Sequence, residues 1–289
     1  MHKPSETGMK GLMTHPVAEL PLLLAAIDVA LASDLGADVA RAAVFDADGT
    51  LWRGDIGDTA FAAACDAGFV DDVTYQGHVR PWAASFGIDL SSETRVGMAT
   101  LVDPAIHSRF KASAVARGLA ETGYRRDFFA MQAWVYAGQK RDDIEAFGER
   151  LFAAGFERQI FEQMRELVVA LKHRQVDVFI ASASHIALVW PGAKRLGIPR
   201  DHVMGMSPSL DAKQRQLPEL PVTTYGPDKA AVTFGRLQLR RPLLAFGDSV
   251  LGTDRELLAL SVAPVAVATQ GLHRAAAIAC PRMLVFDPR

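Results

Sequence analysis

Residues 42–51 read Ala-Ala-Val-Phe-Asp-Ala-Asp-Gly-Thr-Leu, a short apolar run that stops at Asp46 and turns polar through Thr50. Ala42–Asp46 is predicted as a buried strand, because a brief continuous apolar run closed by turn residues fits a sheet covered on both faces. The pattern recurs further along. Val176–Ala181, Leu243–Phe246 and Val262–Ala268 read as strands with a helical stretch after each, the first being Ile186–Leu196, and Met283–Phe286 reads as a last short strand. Strands alternating with helices predict the α/β class, a parallel sheet with helices on its faces.

Asp46 and Val176 stand 130 positions apart, with no convincing strand between them. Apolar residues there recur at three-to-four spacing, as at Phe147, Leu151, Phe152 and Phe156, which is a helical rhythm. The stretch is too long for one crossover helix. The predicted organisation is an α/β core of residues 1–55 and 175–289 with an all-helical domain, residues 56–174, inserted into it. Ligands of open α/β sheets bind beyond the carboxyl ends of the strands, so an insert leaving from such an end would overhang the site. A helical lead-in starts at about Val17. Its apolar part, Pro21–Ala32, is interrupted by Asp28 and falls short of the ~20 residues a bilayer span takes. An amphipathic helix packed on the core is expected; an export signal is the alternative, opposed by Asp28 and by the late start.

Composition narrows the function classes. Of 289 residues, 31 are Lys or Arg and 33 are Asp or Glu, a net charge of −2, which excludes a general nucleic-acid or polybasic membrane binder. At 49% hydrophobic and 22% charged the chain is far from the disordered regime. Cys65 and Cys280 stand in no metal-like or redox-like spacing, so two reduced thiols in a cytoplasmic protein are expected.

The strand ends carry the chemistry. Asp46-Ala47-Asp48-Gly49 is a good turn in its own right, and its calcium-loop reading fails because Leu51 and Gly57 occupy the places that need Gly and Glu. Ser182, after the second strand, is either a helix N-cap or a phosphate contact at a helix N-terminus. Lys229 taken alone is an ordinary solvated lysine, and Gly247-Asp248-Ser249, with Asp254 beyond it, an ordinary turn.

In this order the same residues resemble the haloacid dehalogenase-like (HAD) superfamily of phosphohydrolases: Phe45-Asp46-Ala47-Asp48-Gly49-Thr50-Leu51, then Ser182, then Lys229, then Gly247-Asp248 with Asp254. The resemblance covers the whole core and implies a Rossmann-like parallel sheet with the helical insert as a cap domain. It implies phosphomonoester hydrolysis with Asp46 as the nucleophile, through an aspartyl-phosphate. Mg²⁺ is implied as cofactor, held by the Asp46 side chain, the Asp48 carbonyl and Asp248, with Asp254 supporting from outside the ligand set. Lys229 and Ser182 would neutralise and hydrogen-bond the transferring phosphate. Asp48 would protonate the leaving alkoxide and later deprotonate the attacking water. Dehalogenases, phosphonate-cleaving members and transport ATPases of the superfamily lack that acid.

A large cap implies a small-molecule phosphate ester. The motifs look most like the phosphoserine phosphatase and phosphorylcholine phosphatase branch. Asp55 stands where phosphoserine phosphatases carry an acid that meets the substrate amine; alternatively it caps the helix opening near Asp58. Ser182-Ala183-Ser184 replaces the Ser-Gly-Gly of that branch, the separation of Asp248 from Asp254 is longer and the insert is larger, all against strict phosphoserine specificity. His185 is placed either to touch substrate or to cap its helix. Trp52, Tyr75, Trp82, Trp134 and Tyr136 are either core residues or contributors to an aromatic cage for a quaternary ammonium. A phosphotransferase or phosphomutase shares all four motifs, and a non-catalytic binding protein on the same fold is the third reading. Gly247-Asp248-Ser249-Val250-Leu251 lacks the last Gly of a serine-hydrolase elbow, and no dinucleotide-binding or P-loop glycine run occurs.

Overall fold

The computed structural model describes residues 18–67, 69–87, 121–268 and 270–289. Strands β1 (Val39–Phe45), β2 (Asp177–His185), β3 (Val203–Met206), β4 (Arg241–Gly247), β5 (Ala263–Val267) and β6 (Leu284–Phe286) form one sheet in the order β3-β2-β1-β4-β5-β6. Every pairing is parallel. The chain works outward from β1 to one edge and from β4 to the other, so the topology reverses between β1 and β4, where α/β sheets of this order open a ligand crevice. Phe45 and Phe246 pair in register across that line and stack with ring centroids 4.2 Å apart. The sheet is the predicted α/β core.

Helices cover it. Helix α1 (Leu20–Ala32) buries Leu23, Ile27 and Ala30, and its Asp28 pairs with Arg174 outside. The packing is that expected of Pro21–Ala32, but the outer face is not polar throughout, since Leu22 and Val29 are exposed beside Asp28. Then come α2 (Ile56–Asp66) and a composite α3, an α turn at Asp72–Thr74, a π segment at Tyr75–Val79 and an α segment at Arg80–Ser85. Helices α4 (Glu121–Trp134), α5 (Arg141–Ala154) and α6 (Glu162–His173) complete the stretch before β2. Between Asp55 and Val176 every described helix or strand is helical. Met164, Leu167, Val168 and Leu171 of α6 lie in one apolar core with α1 and Val178 of β2, a core that also takes in Phe61, Phe128 and Phe147. After β2 follow α7 (Ile186–Arg195), α8 (Pro227–Arg236), α9 (Arg255–Leu260) and α10 (Gly271–Ala279). Among the described residues no helix is long and apolar enough to cross a membrane.

Two differences from the sequence reading bear on the site. The edge strand β3 was not anticipated, being only four residues with a glycine in the middle. Strand β2 runs on through Ser182, Ala183 and Ser184 to His185, with a register shift against β3 between Ala181 and His185. Ser182 is therefore a strand residue and not a helix cap. The cap of α7 is His185, whose Nδ1 accepts the Ala187 N–H at 3.0 Å while its Nε2 meets the Gln216 side-chain amide at 2.5 Å.

His185 is 2% exposed, and burial, aided by the charge of Arg141, holds its pKa down at about 4 against an ordinary 6.5. The unfolded chain binds the proton more readily, so this contribution is complete above the unfolded pKa and is lost as pH falls through the window between the two values. The loss amounts to up to about 3 kcal/mol for a shift of this size. His185→Asn keeps a capping acceptor and does not titrate. In urea unfolding the stability difference between wild type and this variant should shrink from pH 7 to pH 4; a difference independent of pH would reject the account.

Candidate active site

The carboxyl ends of β1 and β4 lie side by side, and each delivers an aspartate. Asp46 follows β1 directly, with its N–H bonded to the Phe246 carbonyl at 2.8 Å, so the sheet ladder itself sets the direction of the side chain. Asp248 follows β4. Gly49 makes room for it: a Cβ at that position would lie 2.6 Å from Asp248 Oδ2, and its φ of +77° is one that glycine adopts without strain.

Lys229, in the first turn of α8, brings a cation to the two strand-end aspartates. Its Nζ donates to Asp46 Oδ1 at 2.8 Å and to Asp254 Oδ1 at 2.6 Å, and its side chain is fully buried. Asp254 in turn accepts the Ser249 N–H at 3.0 Å through Oδ2, which ties the loop after β4 to the lysine. Burial opposes the charge on Lys229, but Asp254 and Asp46 outweigh it and hold the ammonium above its ordinary pKa. The carboxylates are short of positive charge. Burial and then Asp254 push Asp46 well above the ordinary carboxylate range despite Lys229, and push Asp248 up to about 7.

That shortage is a test of whether a cation fits. Oxygen atoms of Asp46, Asp248 and Asp254 all lie within 4.8 Å of one another. An all-oxygen, anion-rich set suits a hard divalent ion such as Mg²⁺ and suits thiophilic metals poorly. The residues present therefore fit the group that the sequence resemblance implies.

Asp48 occupies the other side of the turn, with both its oxygens engaged. Oδ1 accepts from the Trp52 indole N–H and from the Ile56 N–H, each at 2.8 Å; Oδ2 accepts from Ser184 Oγ at 2.7 Å and, less closely, from Ser182 Oγ at 3.4 Å. Burial raises its pKa against the pull of these donors. Ser182 also accepts the Ser184 N–H through Oγ, and its carbonyl accepts a short hydrogen bond from Thr224 Oγ1. The ordered motifs point to Ser182 alone on this strand and not to Ser184. Alternation along β2 was the available signal, since two residues apart on a strand share a face.

Asp55 is the N-cap of α2, its Oδ1 accepting the Asp58 N–H at 2.9 Å. The capping role is real, and the carboxyl also faces the site. At Gly57 a Cβ would lie 3.0 Å from Asp55 Oδ1, 3.1 Å from Ser184 Oγ and 3.4 Å from Gln132 Oε1. Burial, then Asp48 and Asp58, push Asp55 well above the ordinary carboxylate range. Gln132 comes from α4 and donates to Asp58 Oδ1 at 2.6 Å, so the helical stretch reaches the site through a buried amide. Of the two roles weighed for His185, the structure shows the capping one: the ring is buried and caps α7. Trp52, Tyr75 and Tyr136, considered for an aromatic cage, are each 1% exposed or less. Trp52 packs edge-on against Phe152 and Phe156, and Tyr136 against Phe69 and His185, as core residues do.

Comparison with known proteins agrees with the fold. A protein of unknown function from Bordetella pertussis Tohama I shares 16% identity, with a TM-score of 0.59 over 87% of this chain and 100% of that one. A functionally unknown conserved protein from Anaerococcus prevotii DSM 20548 shares 16%, with a TM-score of 0.59 over 94% and 96%. DsGPDH of Dunaliella salina shares 17%, with a TM-score of 0.50 over all of this chain and 37% of that one. No curated protein matches the chain. At such identities the likeness concerns the fold. The family model of the haloacid dehalogenase-like hydrolases matches residues 40–251, from β1 through the loop after β4, and so the chain belongs to the haloacid dehalogenase-like hydrolases.

Proposed function

We propose that the protein is a Mg²⁺-dependent phosphatase of small phosphomonoesters, with Asp46 as the nucleophile and Asp48 as the acid and base. The observation that carries this reading is the Lys229 ammonium shared by Asp46 and Asp254 at the point where the sheet reverses. A phosphoryl group approaching Asp46 meets a carboxylate already polarised by a buried cation. Lys229 offsets the charge that gathers on Asp46 and on the equatorial oxygens, and Ser182 supplies a hydroxyl to one of them. Asp46, Asp248 and the Asp48 carbonyl would hold the metal, with Asp254 steadying Lys229 and the loop after β4. Bound there, Mg²⁺ would supply charge neutralisation between the carboxylate nucleophile and the phosphate. Asp46 takes the phosphoryl group, and Asp48 gives a proton to the departing oxygen and takes one from the water that releases phosphate.

The helical stretch, residues 56–174, acts as the cap, with α6 packed on the core as the helix that leads into β2. Gln132 and α2 bring the cap to the edge of the site and restrict it to small esters. Asp55 with Asp58 would favour a substrate that carries an ammonium group, as in phosphoserine, phosphoethanolamine or phosphocholine.

Asp46→Asn should lower kcat on p-nitrophenyl phosphate by about a thousandfold or more while the protein remains folded, and acid-quenched enzyme should no longer retain phosphate from labelled substrate. Undiminished turnover would remove the nucleophile from Asp46. Chelation should abolish activity and Mg²⁺ restore it. Because protons compete for Asp248 below pH about 7, the Mg²⁺ concentration for half-maximal activity should be about tenfold higher at pH 6 than at pH 8. A requirement indifferent to pH would take Asp248 out of the ligand set. For the substrate, Asp55→Asn retains a capping side chain but loses the charge. It should raise KM about tenfold for amine-bearing esters and leave glycerol phosphate unchanged; a uniform rise across the panel would contradict the ammonium contact.

A further inference from the structure

The two oxygens of Asp48 have different kinds of partner. Oδ1 is held by the Trp52 indole N–H and the Ile56 amide N–H, both at 2.8 Å. Neither nitrogen can accept a hydrogen bond, so a proton placed on Oδ1 would point at two other hydrogens. Oδ2 is held by the Ser184 hydroxyl at 2.7 Å, and a hydroxyl can turn from donor to acceptor without moving its oxygen. Ser182 is the weaker partner, 3.4 Å from Oδ2 and already accepting the Ser184 N–H at 3.0 Å. Ser184 is also the member of the cluster that faces the cap, beside Asp55 and Gln132 around the side-chain-free Gly57.

We propose that Ser184 is a positioning residue for proton transfer: it makes Oδ2 the oxygen of Asp48 that delivers and receives the proton, while Trp52 and Ile56 pin Oδ1. The inference rests on the acid and base role of Asp48 given above. In the first half-reaction an Asp46 oxygen bonds to phosphorus and the bond from phosphorus to the leaving oxygen breaks. The electron pair stays on the leaving oxygen, which takes the proton from Oδ2. Asp48 is left as a carboxylate, and Ser184 turns its O–H toward it. In the second half-reaction water attacks the phosphorus of the aspartyl-phosphate and loses a proton to Oδ2, and Ser184 turns back to accept from it. The phosphorus–Asp46 bond breaks, so phosphate leaves and the Asp46 carboxylate is restored.

The test compares kcat/KM, which reports the first half-reaction, for an alkyl ester (glycerol 2-phosphate) and for p-nitrophenyl phosphate, whose leaving group needs no proton. Ser184→Ala should lower kcat/KM about tenfold on the alkyl ester and less than about twofold on the aryl ester, with the loss in kcat and KM little changed. Ser184→Thr, which keeps the hydroxyl, should restore the alkyl activity. Equal losses in Ser184→Ala on the two esters, or no rescue by threonine, would each overturn the assignment. Asp48→Asn is the control. If it is alkyl-selective while Ser184→Ala is not, the inference alone falls; if Asp48→Asn itself hits both esters equally, the reading of Asp48 falls and takes the inference with it.

Discussion

The Lys229 ammonium, wholly buried and bonded to both Asp46 and Asp254, is the contact from which the rest of the site follows. A buried charge is tolerable only when paired and hydrogen-bonded, and removing one member of such a pair leaves an uncompensated charge worth about 3–5 kcal/mol in destabilisation. The three groups come from the end of β1, the first turn of α8 and the residue before α9. They meet only if the sheet order places β1 beside β4 and α8 packs with α9 over the strand ends. Fold and chemistry thus share one constraint. With Asp48 and Asp248 added, the carboxylates outnumber the lysine; burial first and then this imbalance raise the pKa of Asp248, and the imbalance suits a divalent ion.

The acids and the lysine were legible because each closes an apolar run or stands at a fixed place in an ordered series of motifs. Asp46 and Asp248 end strands, and a carboxylate that abruptly ends a buried strand has few structural reasons to be there. What surrounds Asp48 was not legible in the same way. Ser182 and Ser184 are equivalent in composition, and only the continuation of β2 through His185 shows that both face Asp48. Trp52 was weighed as core or as a cage wall. It is a core ring, but its N–H is spent on Asp48, a use that no spacing in the chain announces. Strand β3 escaped because four residues containing a glycine carry too little periodicity to be told from a loop.

The helical stretch is joined to the sheet domain by contacts of unequal weight. Arg126 of α4 reaches Asp228 at 3.2 Å and Thr223 at 3.0 Å, just ahead of Lys229, but the ion pair is half exposed and contributes little against water. Gln132 is buried, as is the Tyr225 ring that Phe129 stacks on at 5.8 Å. The Phe129–Tyr225 stack and the Arg126 contacts hold α4 over the residues leading into α8, while Gln132 ties α4 to Asp58 of α2.

The surroundings of Asp48 show how a motif is completed by parts of the chain that the motif does not contain. One donor comes from the turn itself, one from the start of α2 and two from the far end of β2, more than a hundred residues away. Rigid, non-reversible N–H donors hold one oxygen, and hydroxyls hold the other. A carboxylate fixed by four N–H groups would be a good structural anchor and a poor proton carrier, since its neutral form would have no acceptor to meet. A carboxylate held by hydroxyls alone would lose its aim. The division between its two oxygens keeps the group oriented while leaving one side free to gain and lose a proton.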